Sequence, residues 1–403
     1  MTPSYSTDII IFGGGIAGLW LLNRLHNEGY QAILFETGAL GGGQTIASQG
    51  IIHGGLKYAL SGSLGGAADA IADMPARWRA CINGEGDVNI GGCNLLCDHF
   101  LMWSESSFRS RLKTFLGSKS LRGRIASITA DDYPDIFQQQ KRGGSLYRLP
   151  DFVVDTPSLL KVLSEPHQNS IFKIDPASAI FDRNEQGDII GIQIKSAKST
   201  ISVQSQKILL CAGSGNQQLL SAAKIETIQM QSRPLNMVAL KKRDLPLIYA
   251  HCIADNFSLT PKLTITSHRN KDGNHIWYLG GELAESGVGR NKEDQLMAGK
   301  SILSELFPTL DLSDAQWDSF VVNRTEVKIA DISRPDEAFH AEEKNVITTW
   351  PTKLTLTPSL ADNVIKHLAS QSLLPGKYAN SNSLVNFLDT PEIAKPYWEN
   401  HSL

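Results

Sequence analysis

The chain has 403 residues, of which 41% are hydrophobic and 20% are charged, and its formal net charge is −3. This composition is typical of a soluble globular protein, and the length allows two domains, each with its own core. The slight negative charge argues against a general nucleic-acid binder, and no uninterrupted apolar run reaches the roughly 18 to 20 residues that a membrane span needs. The 5 cysteines, an odd number, do not predict a disulfide framework. Since no secretory signal precedes the first predicted strand, we expect a cytoplasmic protein.

The chain begins with a pattern that predicts a strand, a glycine turn, a helix and a second strand. Asp8 to Phe12 form a β-branched and aromatic run, and a helix is predicted over residues 16–27. Gly29 stands where a helix often ends in a left-handed residue, and residues 32–35 form a second apolar run. This order predicts the first unit of a parallel, nucleotide-binding sheet.

The turn between the first strand and the helix carries three glycines that fit G-x-G-x-x-G. Gly13 permits the tight turn, Gly15 lets the backbone approach a pyrophosphate, and Gly18 lets the helix pack closely on the strand. Glycines alone would be weak evidence, but here they stand between a predicted strand and a predicted helix. The turn therefore predicts a dinucleotide site.

Two further features belong to this predicted site. The amides at the start of the helix, including those of Ile16 and Ala17, are expected to hold phosphates with the help of the helix dipole. Glu36 follows Gly18 by 18 residues, about where a carboxylate binds a ribose hydroxyl.

A glycine-rich segment follows over residues 37–58. Thr45, Ser48 and Gln49 stand among its glycines, which suits a loop lying flat against a flat ligand. A helix is predicted over 64–82, and strands up to Ser104.

Two features in the next part of the chain have alternative explanations. Cys93 and Cys97 could be redox-active or bind metal, but no second pair with zinc-ligand spacing exists, so we interpret them as buried thiols in a pair of core strands. Residues 108–124 contain six basic residues and no acid. They could bind an anionic partner or a membrane surface, but a solvated helix face is the more common explanation.

The remaining chain alternates between the nucleotide sheet and a second sheet. Thr156–Pro157 is predicted to open a helix, with the threonine hydroxyl as its cap. The following segments are predicted strands: a hairpin over 189–194 and 201–203, a buried strand from 207 that returns to the nucleotide sheet, and antiparallel strands over 237–240, 263–267 and 275–279. From Asn345 we expect a strand, a loop and a final helix capped at Thr357–Pro358.

Together these segments resemble the D-amino-acid-oxidase-like (DAO) superfamily of FAD-dependent oxidoreductases, from Asp8 to about Leu368. The loop over residues 48–58 looks most like that of L-2-hydroxyglutarate oxidases and FAD-linked glycerol-3-phosphate dehydrogenases, whereas residues 208–213 are similar to a wider set of FAD proteins. No second G-x-G-x-x-G follows a strand, so no NAD(P)H domain is visible. The resemblance then implies that electrons come from an organic substrate and leave to oxygen, a quinone or a carrier protein.

The resemblance implies FAD as the cofactor, bound noncovalently, because Ala47 stands where relatives with covalent flavin carry a histidine. It places the loop with Gly50 along the pyrophosphate and flavin, the turn at Gly213 over the cofactor, and the 352–355 backbone at the pyrimidine edge. Relatives often have glycines before the last helix, so Lys353 is either a charge near the flavin or an exposed lysine. The predicted cofactor contacts are Gly13, Gly15, Ile16, Ala17, Gly18, Glu36, Thr45, Ser48, Gln49, Gly50, Gly213, Thr352, Lys353, Leu354 and Thr355.

Oxidising an alcohol requires a base for the hydroxyl proton, and His53 is the candidate because its loop is expected to pass the flavin. A structural histidine is the alternative. Arg324 resembles the arginine with which relatives bind a substrate carboxylate, although Thr325 follows it where relatives usually have proline. Lys57 and Tyr58 are further candidates for the pocket wall, with a surface ion pair and a core tyrosine as alternatives. No metal site is expected.

We therefore predict an α/β protein. A discontinuous Rossmann-like FAD-binding domain comprises residues 1–80, 145–230 and 325–380, and a substrate domain on a mostly antiparallel sheet comprises 81–144 and 231–324, with 381–403 as a C-terminal tail. The predicted activity is oxidation of a small 2-hydroxy acid or related polar alcohol by hydride transfer to FAD. One alternative is an amino-acid or secondary-amine oxidase or dehydrogenase, because fold does not decide function. Another is an FAD-binding component of a larger or RNA-modifying assembly.

Overall fold

The computed structural model describes residues 3–55, 71–105, 125–139, 144–195, 199–253, 260–329, 335, 337–378 and 381–400. The strands in these ranges are β1 (Ser4–Phe12), β2 (Ala32–Glu36), β3 (Ile51–Ile52), β4 (Leu95–Cys97), β5 (Phe100–Glu105), β6 (Ala126–Ser127), β7 (Gly144–Leu149), β8 (Phe152–Val154), β9 (Ile171–Lys173), β10 (Ala179–Arg183), β11 (Ile189–Lys195), β12 (Thr200–Leu210), β13 (Met230–Lys242), β14 (Ala250–Ile253), β15 (Leu263–Arg269), β16 (His275–Gly280), β17 (Gln316–Val327), β18 (Phe339–Glu343) and β19 (Val346–Trp350).

The α-helices are α1 (Ile16–Asn27), α2 (Met74–Ile82), α3 (Asp135–Gln138), α4 (Thr156–Ser164), α5 (Asn216–Ala223), α6 (Glu282–Ser286), α7 (Lys292–Leu306), α8 (Thr357–Ser370) and α9 (Tyr397–Asn400). Short 3₁₀ turns cover Ala130–Asp132, Glu165–Ser170, Pro176–Ser178, Gly213–Gly215, Leu354–Leu356 and Ser381–Asn386.

The first sheet has a parallel centre in the order β19-β12-β1-β2-β9. β12 is long enough to pair twice on one side: its first half pairs antiparallel with β11, and its last residues pair parallel with β19. The predicted hairpin and the predicted return of the chain to this sheet are confirmed. The return matters because it brings the ends of β1, β12 and β19 to one edge.

Alternating residues of β1 divide the core around this sheet into two layers. Ile9 and Ile11 belong to the cluster that includes α1, α4 and α8, whereas Ile10 and Phe12 belong to the cluster on the opposite face. All four side chains are at most 4% exposed. Because a strand buried on both faces needs apolar residues at every position, this explains why the sequence shows a continuous apolar run.

The second sheet has the order β17-β13-β16-β15-β14-β5-β7-β6, and its described pairs are antiparallel except for β14 with β5. The antiparallel strands predicted over 237–279 are therefore confirmed. One assignment differs: we predicted that residues from 145 onward would accompany the first sheet, but β7 pairs with β5 from Phe100–Leu149 to Glu105–Gly144. A third, small sheet joins β3, β8 and β4.

Several local predictions needed correction. Asp155, not Thr156, caps α4, because its carboxylate accepts a hydrogen bond from the Ser158 amide. α8 has no side-chain cap, since the Thr357 hydroxyl donates to the Leu354 carbonyl instead. Cys93 precedes β4 rather than lying in a strand.

Parts of other predictions lie outside the described residues. Residues 64–70 of the predicted helix and the basic stretch 108–124 lie outside the described residues. Within the described part of the predicted helix, α2 begins at Met74. In the described part of the chain, no helix combines the length and apolar character needed to cross a membrane.

Candidate functional site

A cleft of about 1640 Å³ lies where the ends of β1, β12 and β19 meet the face of the second sheet formed by β13, β16 and β17. Its volume exceeds the roughly 300–1,000 Å³ of an ordinary small-molecule pocket, so it has room for a dinucleotide together with a substrate. Ligands of open α/β sheets bind at the carboxyl ends of the strands, which is where this cleft opens.

The three glycines of the first turn occupy three different environments. Gly13 has a φ of +106°, and a side chain there would lie 2.5 Å from the Ala212 Cα. A β-carbon on Gly18 would lie 1.9 Å from the Gly13 carbonyl oxygen, so α1 could not pack as closely on β1. At Gly15 the nearest atom to such a carbon is Thr45 Oγ1 at 3.4 Å, and this residue lines the cleft. The protein crowds two of the glycines and leaves the third open to a ligand.

The N-terminus of α1 points its positive end at the cleft. Gly15 is the cap residue and provides no side-chain cap, and the first turn contains no acidic residue. Ile16 and Ala17 line the cleft, and the Ile16 amide donates to Thr45 Oγ1 at 3.0 Å. A helix whose own first turn contains no acidic residue is suited to bind an anion such as a pyrophosphate at that end.

Glu36 stands at the end of β2 and lines the cleft. Its Oε2 accepts a hydrogen bond from the Gly14 amide at 2.6 Å, and its Oε1 accepts from the amides of Thr37 and Gly38 at 2.8 Å each. These amides fix the carboxylate at the edge of the cleft. Because a carboxylate has about four acceptor positions and these amides use three, one position remains for a ribose hydroxyl.

The loop over residues 44–50 spans from the first sheet to the second. Two glutamine side chains hydrogen-bond the loop to the second sheet. Gln44 Nε2 donates to Thr325 Oγ1 at 2.8 Å, and Gln49 Nε2 donates to the Tyr278 carbonyl at 2.9 Å. The Tyr278 hydroxyl donates to the Ala47 carbonyl at 2.8 Å. Gln49 therefore uses its amide nitrogen on the sheet, although it also lines the cleft.

The other predicted residues of this loop also line the cleft. Ser48 donates to the Thr45 carbonyl at 2.8 Å, which tightens the turn. Gly50 has a φ of +69°, and a β-carbon there would lie 2.2 Å from the Val154 carbonyl oxygen.

The segment between β19 and α8 also lines the cleft. Thr352 has a φ of +60°, a conformation that favours glycine, and its hydroxyl donates to the Glu337 carbonyl at 3.2 Å. Lys353 is 7% exposed and lines the cleft together with Thr352 and Leu354. Thr355 is fully buried, and its hydroxyl donates to the His53 carbonyl at 3.0 Å.

The structure brings most predicted site residues together. Those that line the cleft are Gly13, Gly15, Ile16, Ala17, Glu36, Thr45, Ser48, Gln49, Gly50, His53, Gly213, Arg324, Thr352, Lys353 and Leu354. Gly18 and Thr355 do not line the cleft: Gly18 lets α1 pack on β1, and Thr355 donates to the His53 carbonyl. Lys57 and Tyr58 lie outside the described residues.

His53 and Arg324 line the cleft from different elements, the segment after β3 and strand β17. His53 is half-buried on the segment after β3, which is held by Thr355 and by a 2.9 Å hydrogen bond from the Gly54 amide to Asp151 Oδ1. Arg324 belongs to β17; its Nε donates to the Arg233 carbonyl at 3.3 Å, and its Nη2 lies 3.9 Å from Glu285 Oε1.

Asp151, which is 3% exposed, is a further residue of the site that the sequence pattern did not indicate. Burial raises the pKa of its carboxyl group to about 7, and the hydrogen bond from Gly54 opposes this rise only partly. Its position directly before the buried β8 was visible in the sequence, but its contact with the His53 segment, about 100 residues away, was not.

The aromatic surface at the second sheet was also missed. Tyr278, Phe320, Tyr397 and Trp398 line the cleft. Alternation along β17 could have indicated that Phe320 shares a face with Arg324. Nothing in the sequence places the C-terminal Tyr397 and Trp398 beside them.

The described cysteines carry free thiols. Burial raises the pKa of Cys93 to about 11 and that of Cys97 to about 12, which makes both thiols poor nucleophiles. Among the described residues, no group of three or more histidine, cysteine or acidic side chains is placed to hold a metal ion.

Comparison with known proteins agrees with this geometry. The family model described as FAD dependent oxidoreductase (DAO) matches residues 8–347. The probable FAD-dependent oxidoreductase PA4991 of Pseudomonas aeruginosa is 39% identical over 403 residues, covering 99% of each chain. Its crystal structure superimposes with a TM-score of 0.84 at 36% identity, again over 99% of each chain.

More distant structures share the fold. The FAD-bound L-α-glycerophosphate oxidase of Mycoplasma pneumoniae has a TM-score of 0.64 at 14% identity, covering 94% of this chain and 97% of its own. Glycine oxidase of Geobacillus kaustophilus has a TM-score of 0.61 at 15% identity, covering 97% and 100%. This chain belongs to the DAO family of FAD-dependent oxidoreductases, because the family model matches residues 8–347 and a relative is 39% identical over 403 residues.

Proposed function

We propose that this FAD-dependent oxidoreductase oxidises a small 2-hydroxy acid or a related polar alcohol. The observation that carries the proposal is the presence of His53 and Arg324 in the same cleft as the predicted FAD contacts. FAD, when bound, accepts the hydride that leaves the substrate carbon. The protein must bind the acid, orient the carbon and remove the hydroxyl proton.

Arg324 is the group proposed to bind the carboxylate. Guanidinium pairs with carboxylate through two parallel hydrogen bonds, which fix orientation as well as position. β17 pairs with β13 along most of its length, so the arginine is attached to a rigid strand. Fixed orientation of the bound acid is what hydride transfer requires.

His53 is the group proposed to take the hydroxyl proton on a ring nitrogen. Among the described residues that line the cleft it is the only imidazole, and the carboxylates there are Glu36 and Glu392. Glu36 already accepts three backbone amides. Imidazole titrates near neutral pH, which makes it an effective general base.

The remaining features of the proposal follow from the resemblance and from composition. FAD is proposed to bind noncovalently, with the pyrophosphate at the start of α1 and a ribose at Glu36. The electron acceptor is oxygen, a quinone or a carrier protein. Free thiols at the described cysteines support a reducing, cytoplasmic location.

An amino acid or secondary amine is the second candidate substrate. Arg324 would bind its carboxylate equally well, and an amine that has already lost its ammonium proton to solvent gives up hydride to form an iminium, with no hydroxyl proton for His53 to take. The two candidates therefore differ in their dependence on His53.

The test is anaerobic flavin bleaching by pooled 2-hydroxy acids and by pooled amines, for the wild type and for His53→Ala. We expect bleaching by hydroxy acids that is slowed about 100-fold or more in His53→Ala. The control is His99→Ala, which removes an exposed histidine outside the cleft. Bleaching by amines alone, unchanged in His53→Ala, would replace the first candidate by the second.

A further inference from the structure

The C-terminal segment, residues 392–400, crosses one side of the cleft. At its start, the Leu40 amide donates to the Glu392 carbonyl at 2.8 Å, and the Ala394 amide donates to the Leu40 carbonyl at 2.9 Å. At its end, Glu399 Oε1 accepts from the Lys271 amide at 2.8 Å. The segment thus connects the glycine-rich loop beside the predicted FAD site to the second sheet. It lies beyond residues 8–347, which the family model matches.

Two aromatic residues of this segment pack on the second sheet. The Tyr397 ring stacks on Phe320 with centroids 3.7 Å apart and an interplanar angle of 9°, and its hydroxyl donates to Asp318 Oδ2 at 2.9 Å. Trp398 is 8% exposed and packs against Tyr278, with centroids 5.4 Å apart. These contacts hold the rings of Tyr397 and Trp398 in place, so the two rings form a wall of the cleft before any ligand binds.

The sheet face beneath this wall is apolar and ends in two arginines, of which Arg324 lines the cleft and Arg233 pairs with Glu326. Direct strand partners share a face, and the pairs Met237–Phe320, Leu235–Val322 and Arg233–Arg324 lie in succession along β13 and β17. The four apolar residues of the first two pairs line the cleft. Leu235, Phe320 and Val322 are only partly buried by the protein itself. A bound molecule can therefore complete their burial.

We propose that the C-terminal segment forms the substrate-side wall of the cleft and selects acids that carry an apolar side chain. The inference rests on the proposed function for the placement of the carboxylate at Arg324. The Cα atoms of Arg324 and Phe320 are separated by four strand residues, or roughly 13 Å. A two- or three-carbon acid held by Arg324 does not reach the parts of Phe320 and Tyr397 that line the cleft, whereas an aromatic or branched side chain of several carbons reaches them.

The apolar character of the wall determines which substrate side chains bind against it. Each carbon that leaves water against this surface adds to affinity, whereas a polar group there would lose hydrogen bonds with water. Asp318, the nearest carboxylate to the wall on this strand, is paired with Lys292, whose Nζ lies 2.5 Å from Asp318 Oδ1, and with the Tyr397 hydroxyl. The substrate class is thus a 2-substituted carboxylic acid with an aromatic or long aliphatic side chain.

The test compares phenylacetate with acetate as probes that cannot be oxidised at a hydroxyl or amine, by calorimetric titration of the holoenzyme. We expect phenylacetate to bind at least about tenfold more tightly than acetate. Tyr397→Ala should reduce this ratio by about tenfold, and Tyr397→Phe should keep it, because the stacked ring remains. Equal binding of the two acids to the wild type, or an unchanged ratio in Tyr397→Ala, would overturn the proposal.

Two further measurements separate the wall from other effects. Tyr378→Ala, which removes a tyrosine outside the cleft, should leave the ratio unchanged, and FAD content per chain should be equal in all variants. The ratio of kcat/KM for phenyllactate over lactate, and for phenylalanine over alanine, should fall in Tyr397→Ala for whichever class is oxidised. Because phenylacetate binding requires no turnover, the wall can be established even if the proposed oxidation of hydroxy acids fails.

Discussion

The two ends of the cleft are built from different parts of the polypeptide. At the predicted cofactor end, the surface is mainly backbone from one short stretch: Gly13 and Gly15, the first amides of α1, and the amides that fix Glu36. At the proposed substrate end, the surface is formed by side chains from β13, β16, β17 and α9. A backbone surface can serve any member of a family with the same cofactor, whereas a side-chain surface can change with the substrate. The cofactor end should therefore tolerate few substitutions, and the substrate end should change preference before it loses structure.

The largest expected effect is at the glycine turn. Gly18→Ala would place a β-carbon 1.9 Å from the Gly13 carbonyl oxygen, so α1 must move and both stability and FAD binding should be lost. Overpacking of this kind costs about 1–3 kcal/mol or more. Gly15→Ala meets no atom closer than 3.4 Å, so the apoprotein should keep its melting temperature while FAD affinity falls by at least about tenfold. FAD titration and apoprotein melting curves test both variants. An equal decrease in melting temperature for Gly18→Ala and Gly15→Ala would contradict the predicted difference between the two glycines.

The next effect is at Asp151, which lies behind the His53 segment. Its pKa in the folded state, about 7, lies above the value of about 3.9 in an unfolded chain. Between these values the unfolded chain gives up a proton that the folded protein keeps, so stability falls as pH rises from about 4 to about 7, by at most about 4 kcal/mol. Asp151→Asn should remove this loss and still accept the Gly54 amide.

The measurement for Asp151 is the melting temperature as a function of pH. The advantage of Asp151→Asn over the wild type should grow from about pH 4 to about pH 7 and then level off. Asp98→Asn is the control, because the Asp98 side chain is 73% exposed. A constant difference across this range would show that the buried carboxyl group does not set the pH dependence.

Arg324 tests the substrate end. Arg324→Leu removes the proposed carboxylate partner, so KM for an acid substrate should rise by about tenfold to 100-fold, as expected for a charge-assisted hydrogen bond. FAD affinity should not change, because the predicted cofactor contacts do not include this residue. Exposed Arg243 provides the matched control, Arg243→Leu. Weaker FAD binding in Arg324→Leu with an unchanged KM would show that Arg324 belongs to the cofactor end of the cleft and not to the proposed substrate end.

The smallest effect is expected at Thr352. A β-branched residue at φ +60° costs about 1 kcal/mol or more, so Thr352→Gly should relieve strain. The gain is offset by the lost hydrogen bond to Glu337 and by the greater flexibility of glycine in the unfolded chain. We expect a net stabilisation of at most about 1 kcal/mol in urea unfolding, with FAD affinity retained. Lys344→Gly, at φ +58°, is the control for a position away from the cleft.

Much of the fold could be predicted because its signals are local. Continuous apolar runs at Ile9–Phe12 and Ile208–Leu210 predicted central parallel strands, and both pair as expected. Errors arose where one residue decides a local contact, as when Asp155 rather than Thr156 capped α4. β7 was misplaced because its partner β5 is separated from it by residues 106–143, and no local pattern shows which sheet a strand joins.

The sequence by itself determined the cofactor turn, since glycine spacing, strand and helix all occur within residues 8–36 and the backbone there needs no distant partner. Only the tertiary structure decided the contacts on the proposed substrate side of the cleft. It brought Tyr397 onto Phe320, placed Asp151 behind the His53 segment and turned the Gln49 amide nitrogen toward the second sheet. Each of these contacts joins residues about 80 to 230 positions apart. Such contacts follow from strand pairing and the burial of apolar surface, which depend on the whole chain rather than on neighbouring residues.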